Sequence, residues 1–139
     1  MRNSCLVALL AAALGFTACL SSSNAPSAPS GVPMGREFTL APGQSATVGG
    51  LTVVFAGVGS DSRCPADVVC VWAGEALVNV SARVPGEAEA TLSLRAGARA
   101  GEEAAYAGYT IRLVSLAPYP RASKPIAPGD YRATLTVSR

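Results

Sequence analysis

The stretch from Gly59 to Ala76 concentrates residue types capable of chemistry. It holds Cys64 and Cys70, the only tryptophan (Trp72), the carboxylates Asp61, Asp67 and Glu75, and the cation Arg63. The 139-residue chain contains no histidine, which excludes Ser-His-Asp and Cys-His nucleophile systems and the common zinc sites. Five residues separate Cys64 from Cys70, unlike the C-x-x-C of thiol oxidoreductases, in which a nearby helix start lowers a thiol pKa. The three carboxylates are of the type that ligates calcium or cleaves glycosides. Their spacing does not match an EF-hand loop, and a small β domain leaves little room for a sugar cleft. No glycine-rich phosphate-binding motif occurs either. The residues therefore predict no enzyme activity, no cofactor and no metal site.

The N-terminus carries an address. Met1-Arg2-Asn3 supplies one positive charge, Cys5 to Leu14 is apolar without a break, and Gly15-Phe16-Thr17-Ala18-Cys19 follows, the three-part layout of a signal peptide. The apolar run is too short for a spanning helix, which needs roughly 20 residues. Phe16-Thr17-Ala18-Cys19 resembles the bacterial lipobox, with Phe16 where that pattern usually has leucine. The resemblance implies cleavage before Cys19, a thioether-linked diacylglyceryl group on its sulfur and usually an amide-linked acyl chain. At about 0.8 kcal/mol per buried CH₂, several acyl chains make membrane attachment effectively permanent. Residues 1–18 thus read as signal peptide and 19–35, with Ser, Pro, Asn and Gly and no charge, as a flexible tether. Leu20 is not the aspartate that resembles an inner-membrane retention signal, which directs the expectation to the outer membrane if the source has one.

Without Arg2, ten of the 11 basic residues face nine acidic ones, so the mature chain is near neutral and nothing points to nucleic acid. Residues 36–139 are roughly 100, the size of one domain with its own core. Of the four cysteines, Cys5 leaves with the signal and Cys19 takes lipid. Cys64 and Cys70 remain, and an oxidising compartment predicts that they pair; the alternative is two buried free thiols. So short a loop adds about 2 to 2.5 kcal/mol in the chain-entropy account.

The elements that must position these residues show as period-two alternation. Ala76, Val78, Val80, Ala82 and Val84 take one face of a strand; after the Pro85-Gly86 turn, Ala88, Ala90, Leu92 and Leu94 do the same on a returning strand. Tyr131, Ala133, Leu135 and Val137 define a last strand after Pro128-Gly129. Gly49-Gly50 suits a two-residue hairpin turn between Gln44–Val48 and Leu51–Val58. Phe38 and Leu40 suggest another strand, and Tyr109, Ile111 and Leu113 one more, whose alternation fails at Leu113-Val114 as at a bulge. The nearest helix candidate, Glu102 to Ala107, is short. About seven strands and no convincing helix predict an all-β fold, an immunoglobulin-like antiparallel β-sandwich, with a small β-barrel as the alternative. Tyr131 is reminiscent of the tyrosine corner of immunoglobulin-like sandwiches; otherwise it is an ordinary core tyrosine.

The pattern Asp61-Ser62-Arg63-Cys64-Pro65, a short gap, then Cys70-Val71-Trp72-Ala73-Gly74 and an alternating strand resembles a group of uncharacterised bacterial exported proteins and lipoproteins. The likeness implies membership and no activity. In physical terms, Trp72 lies two residues past Cys70 and shares its side of an extended chain, so it is expected to pack on the disulfide in the core, the other reading being a ligand-stacking ring. Asp61 and Arg63 are expected to form a local surface pair or to bond turn backbone. The candidate binding loop is Asp61, Arg63, Pro65, Asp67 and Trp72. The expected role is a lipid-anchored envelope protein acting by binding or structural support, its partners being the membrane through Cys19 and an envelope protein. Alternatives are a protease-inhibitor-like module presenting Arg63-Cys64-Pro65 and a small envelope hydrolase.

Overall fold

The computed structural model describes residues 31–97 and 102–139; the expected signal peptide, Cys19 and the expected tether as far as residue 30 lie outside them. Eight strands form: β1 (Phe38–Leu40), β2 (Ser45–Val48), β3 (Leu51–Asp61), β4 (Glu75–Arg83), β5 (Ala90–Gly97), β6 (Glu103–Tyr106), β7 (Tyr109–Ala117) and β8 (Arg132–Ser138). They make two four-stranded antiparallel sheets, ordered β1-β8-β7-β6 and β2-β3-β4-β5. The fold is an all-β sandwich. Each sheet is largely a meander of consecutive strands, with β1 crossing to β8, so the strand order differs from the Greek-key order of immunoglobulin domains.

Alternation predicts the core well because each sheet has one wet face. Ala76, Val78, Val80 and Ala82 of β4 and Tyr131, Ala133, Leu135 and Val137 of the β8 segment are buried, with Phe55, Leu40, Ile111 and Leu94 completing one cluster. All buried hydrophobics among the described residues lie between Phe38 and Val137, so a chain that starts at residue 31 contains them all. The Gly49-Gly50 turn has positive φ at both residues, 55° and 93°, the geometry of a two-residue hairpin turn whose twist matches its strands. In β7 the register shifts between Leu113 and Ser115, and the buried set passes from Tyr109, Ile111 and Leu113 to Leu116. That is a bulge at the place where the alternation fails.

Two things differ from the sequence reading. Glu103–Tyr106 is a strand, β6, paired with β7 through an Ala107-Gly108 turn, not part of a helix. Strand β3 runs on to Asp61 through two register shifts, between Phe55 and Gly57 and between Val58 and Ser60. A bulge flips which face the next residue takes, so the pair restores the phase. Phe55, Val58 and Asp61 therefore sit opposite Val80, Val78 and Ala76, the inward residues of β4. Asp61 ends the strand on the core side.

The pairing also fixes the two poles. The chain joins the sandwich at one pole, where Val32 bridges to Val48 and the Gly35 amide donates to the Val137 carbonyl at 2.8 Å. The loop from residue 62 to 74 leaves β3 and re-joins β4 at the other.

Ala107 holds a left-handed φ of 47° in the β6–β7 turn, which costs a side chain with a Cβ roughly 1–2 kcal/mol. Asparagine tolerates that region. Ala107→Asn is expected to raise the thermal midpoint by several degrees, about 4–8 °C per kcal/mol in a domain of this size. A fall in the midpoint would mean that the turn is not strained.

Candidate functional site

Arg63 is the only buried polar or charged residue among the described ones, at 6% exposure. A guanidinium leaves water at high cost unless its donors and charge are matched. Here they are. Its Nε donates to Asp61 Oδ1 at 2.9 Å and its Nη2 to Asp61 Oδ2 at 2.7 Å, a bidentate fork. Nη1 donates to the Leu116 carbonyl at 2.8 Å and Nη2 also to the Pro118 carbonyl at 3.1 Å. The Tyr119 ring lies beside it, with Cζ 5.2 Å from the centroid, a favourable cation–π distance. The Tyr131 hydroxyl donates to Asp61 Oδ2 at 3.1 Å. Asp61 belongs to the β2-β3-β4-β5 sheet, whereas Leu116 and Tyr131 belong to or adjoin the other. The cluster is a polar clamp that closes one end of the sandwich.

The expected surface pair is thus a buried one, because the two bulges of β3 turn Asp61 inward and Arg63 follows it. Tyr131 fits neither earlier reading fully. It is buried, but its hydroxyl serves the Asp61 carboxylate across the sheets, not upstream backbone as in a tyrosine corner.

The rest of the loop is tied in the same way. The Ser62 amide and hydroxyl donate to the Glu75 carbonyl at 2.8 and 2.9 Å, and the Glu75 amide returns a bond to Ser62 Oγ at 3.1 Å. The Cys64 amide donates to the Ala73 carbonyl at 2.9 Å. Gly74 sits at φ 64°, and a Cβ there would run into the Ser62 carbonyl oxygen, so the glycine of Cys-Val-Trp-Ala-Gly is needed for that close approach. Cys64 and Cys70 are disulfide-bonded, with Cα atoms 5.9 Å apart. Beyond them the Ala66 amide donates to the Pro120 carbonyl at 2.9 Å, and Asp67 Oδ1 accepts from the Ala122 amide at 2.8 Å. Asp67 is therefore a strut between two loops.

What the clamp leaves outside is apolar. Val69, Val71 and Trp72 are 102%, 90% and 82% exposed, with Val68 and Tyr119 also open to solvent. Trp72 does not pack on the disulfide in the core as expected. The end of the sandwich is closed instead by Arg63, Asp61 and Tyr131. The sequence signal for this was available in Val68-Val69-Cys70-Val71-Trp72-Ala73, six residues without a charge and without the alternation of a half-buried strand.

The arrangement brings Asp61 and Arg63 together but not the three carboxylates: Asp67 bonds a neighbouring loop, and Glu75 lies 3.6 Å from Arg95 Nε on the outer surface. Among the described residues no three Cys, Asp or Glu side chains converge. The Arg63 guanidinium, which a trypsin-like pocket would have to receive, is fully engaged inside the fold. Compared with protein-family models, with curated proteins and with solved structures, the chain matches none.

Burial alone would push the Asp61 carboxyl up, but the hydrogen bonds and charge of Arg63, with the Tyr131 hydroxyl, hold it below its ordinary value. Burial, the Asp61 charge and the hydrogen bond to Asp61 raise the Tyr131 phenol. A depressed carboxyl stabilises the fold above its unfolded pKa, near 4, and that stability is lost as pH falls through the folded value. A raised phenol stabilises below its unfolded pKa, near 10, and its contribution is lost as pH rises through the folded value. Urea midpoints measured against pH should show a plateau between these limits, and Asp61→Asn should flatten the acid limb. An acid limb unchanged by Asp61→Asn would assign it elsewhere.

Denaturation in urea should also separate clamp from tip. Arg63→Met, which leaves the Asp61 carboxylate without its counter-charge, is expected to cost about 3–5 kcal/mol. Trp72→Ala is expected to stay within about 0.5 kcal/mol, as for other exposed positions. Equal losses from the two variants would contradict the geometry.

Proposed function

We propose that this chain is an exported, lipid-anchored envelope protein whose sandwich works without catalysis, as a mount for a contact tip formed by residues 68–72. The observation that carries the proposal is the coincidence, in one loop, of the strongest fixation and the greatest apolar exposure. The loop has a disulfide, a buried ion pair and bonds to the 116–122 segment, yet it turns four large apolar side chains to water. Exposed apolar clusters of this kind mark contact sites, and a pre-ordered loop loses little entropy when it binds.

Export and anchoring are supported by the signal-like N-terminus, by the lipobox resemblance at Cys19 and by the disulfide, a bond that persists in oxidising compartments. The likeness of the Asp61 to Gly74 pattern to bacterial exported proteins and lipoproteins agrees with them.

Two measurements test the proposal. Mass spectrometry of membrane-extracted protein should show an acylated N-terminal Cys19, and Cys19→Ala should release the domain or block processing; an unmodified terminus elsewhere would overturn anchoring. A photo-crosslinking amino acid at Val71 should give adducts in intact cells, whereas one at Glu87, exposed in the turn at the opposite pole, should not. Adducts from position 87 alone would overturn the tip as the contact surface.

A further inference from the structure

Resting on that contact reading, we infer that the tip docks on a lipid bilayer, with Val69, Val71 and Trp72 entering the interfacial zone and Arg121 and Lys124 meeting anionic headgroups. The tip is a protrusion, not a groove or a flat face. Val69 has its whole surface in solvent, and residues 68–74 carry no charge. A bilayer accepts such a shape without a complementary pocket. Tryptophan is the side chain that concentrates at the headgroup level, where its ring is buried and its N–H stays hydrated, and the valines beside it add apolar area.

The charges around the tip do not oppose that occupant. Asp67 accepts the Ala122 amide of the neighbouring loop. That loop carries Arg121 and Lys124, both exposed, with Pro118, Tyr119, Pro125 and Ile126 lining a shallow pocket that Asp130 also borders. Arg121 and Lys124 are matched in number by Asp67 and Asp130, so apolar insertion carries the contact and the two cations add local pairing with anionic headgroups.

The length of chain outside the described residues permits this on the membrane that holds the anchor. Cys19 stands 13 residues before Val32, and an extended chain of that length spans at most about 43–47 Å. Strand β3, 11 residues long, covers about 36 Å between the poles. The tether is long enough for the domain to fold back and set its far pole on the same bilayer. The lipid then supplies attachment and the tip supplies orientation.

The test uses residues 31–139, which retain the whole core and lack lipid and signal, with vesicles of phosphatidylethanolamine and phosphatidylglycerol. Trp72 is the only tryptophan, so its emission reports on this site alone. Vesicles should shift that emission to shorter wavelength, and the protein should co-sediment with them. Val71→Ser should weaken partitioning about tenfold, the loss expected from one buried large apolar side chain. Arg121→Gln with Lys124→Gln should weaken it only where phosphatidylglycerol is present. Folded protein that neither shifts nor co-sediments would overturn the inference, as would binding that Val71→Ser leaves unchanged. If Val71 also crosslinks to a protein in cells, the tip remains a contact surface with a protein partner. If Val71 gives no adduct at all, the contact reading itself fails.

Discussion

The ion pair between Arg63 and Asp61 is the constraint on which the far pole of this protein depends. A sandwich built from alternating strands closes its core along its length, but its ends must be stoppered by loops. Loops carry backbone groups that need partners. Here the stopper is a charged side chain whose fork meets one carboxylate and whose further donors reach the Leu116 carbonyl at the end of β7 and the Pro118 carbonyl just beyond it. Buried charge is stabilising only when it is matched this fully, and no buried side-chain nitrogen or oxygen among the described residues lacks a partner. The loop is therefore fixed by directional polar bonds and a disulfide. With the clamp in place, the tryptophan and its neighbouring valines face water.

Much of the architecture is legible in the sequence because burial on one face of a sheet enforces period-two patterns. Residues 76–82, 131–137 and the Gly49-Gly50 turn declare themselves, and even the break at Leu113-Val114 marks a real bulge. Strand β6 is not legible: Glu-Ala-Ala-Tyr is short, and alanine and glutamate favour helix, so only pairing with β7 makes it a strand. The end of β3 is hidden for a different reason. Its two bulges erase the alternation after Phe55, and without the register Asp61 cannot be assigned to the inner face.

The disulfide was legible and the roles of the motif residues were not. Aspartate and arginine two apart read as a surface pair because charged side chains are rarely buried, and a tryptophan beside a disulfide reads as core because large aromatics usually are. Both expectations invert together: the charged pair closes the end of the sandwich and the tryptophan lies outside it. The Asp-Ser-Arg-Cys-Pro half of the motif, with Gly74, builds the mount. The Val-Val-Cys-Val-Trp half is what the mount displays. Variation at the exposed residues Val68, Val69, Val71 and Trp72 should therefore leave the fold intact, whereas Asp61, Arg63, Gly74, Tyr131 and the Cys64–Cys70 disulfide form one structural unit.

The most direct test of this account is a double-mutant cycle on Asp61→Ala and Arg63→Ala, read by urea denaturation. Residues in one buried network couple by about 0.5–3 kcal/mol, and a clamp that carries the loop predicts a coupling in the upper half of that range. Such a coupling should come with Trp72 emission that stays solvent-exposed in the native protein. A coupling of only a few tenths of a kcal/mol, as between exposed charges, would contradict it.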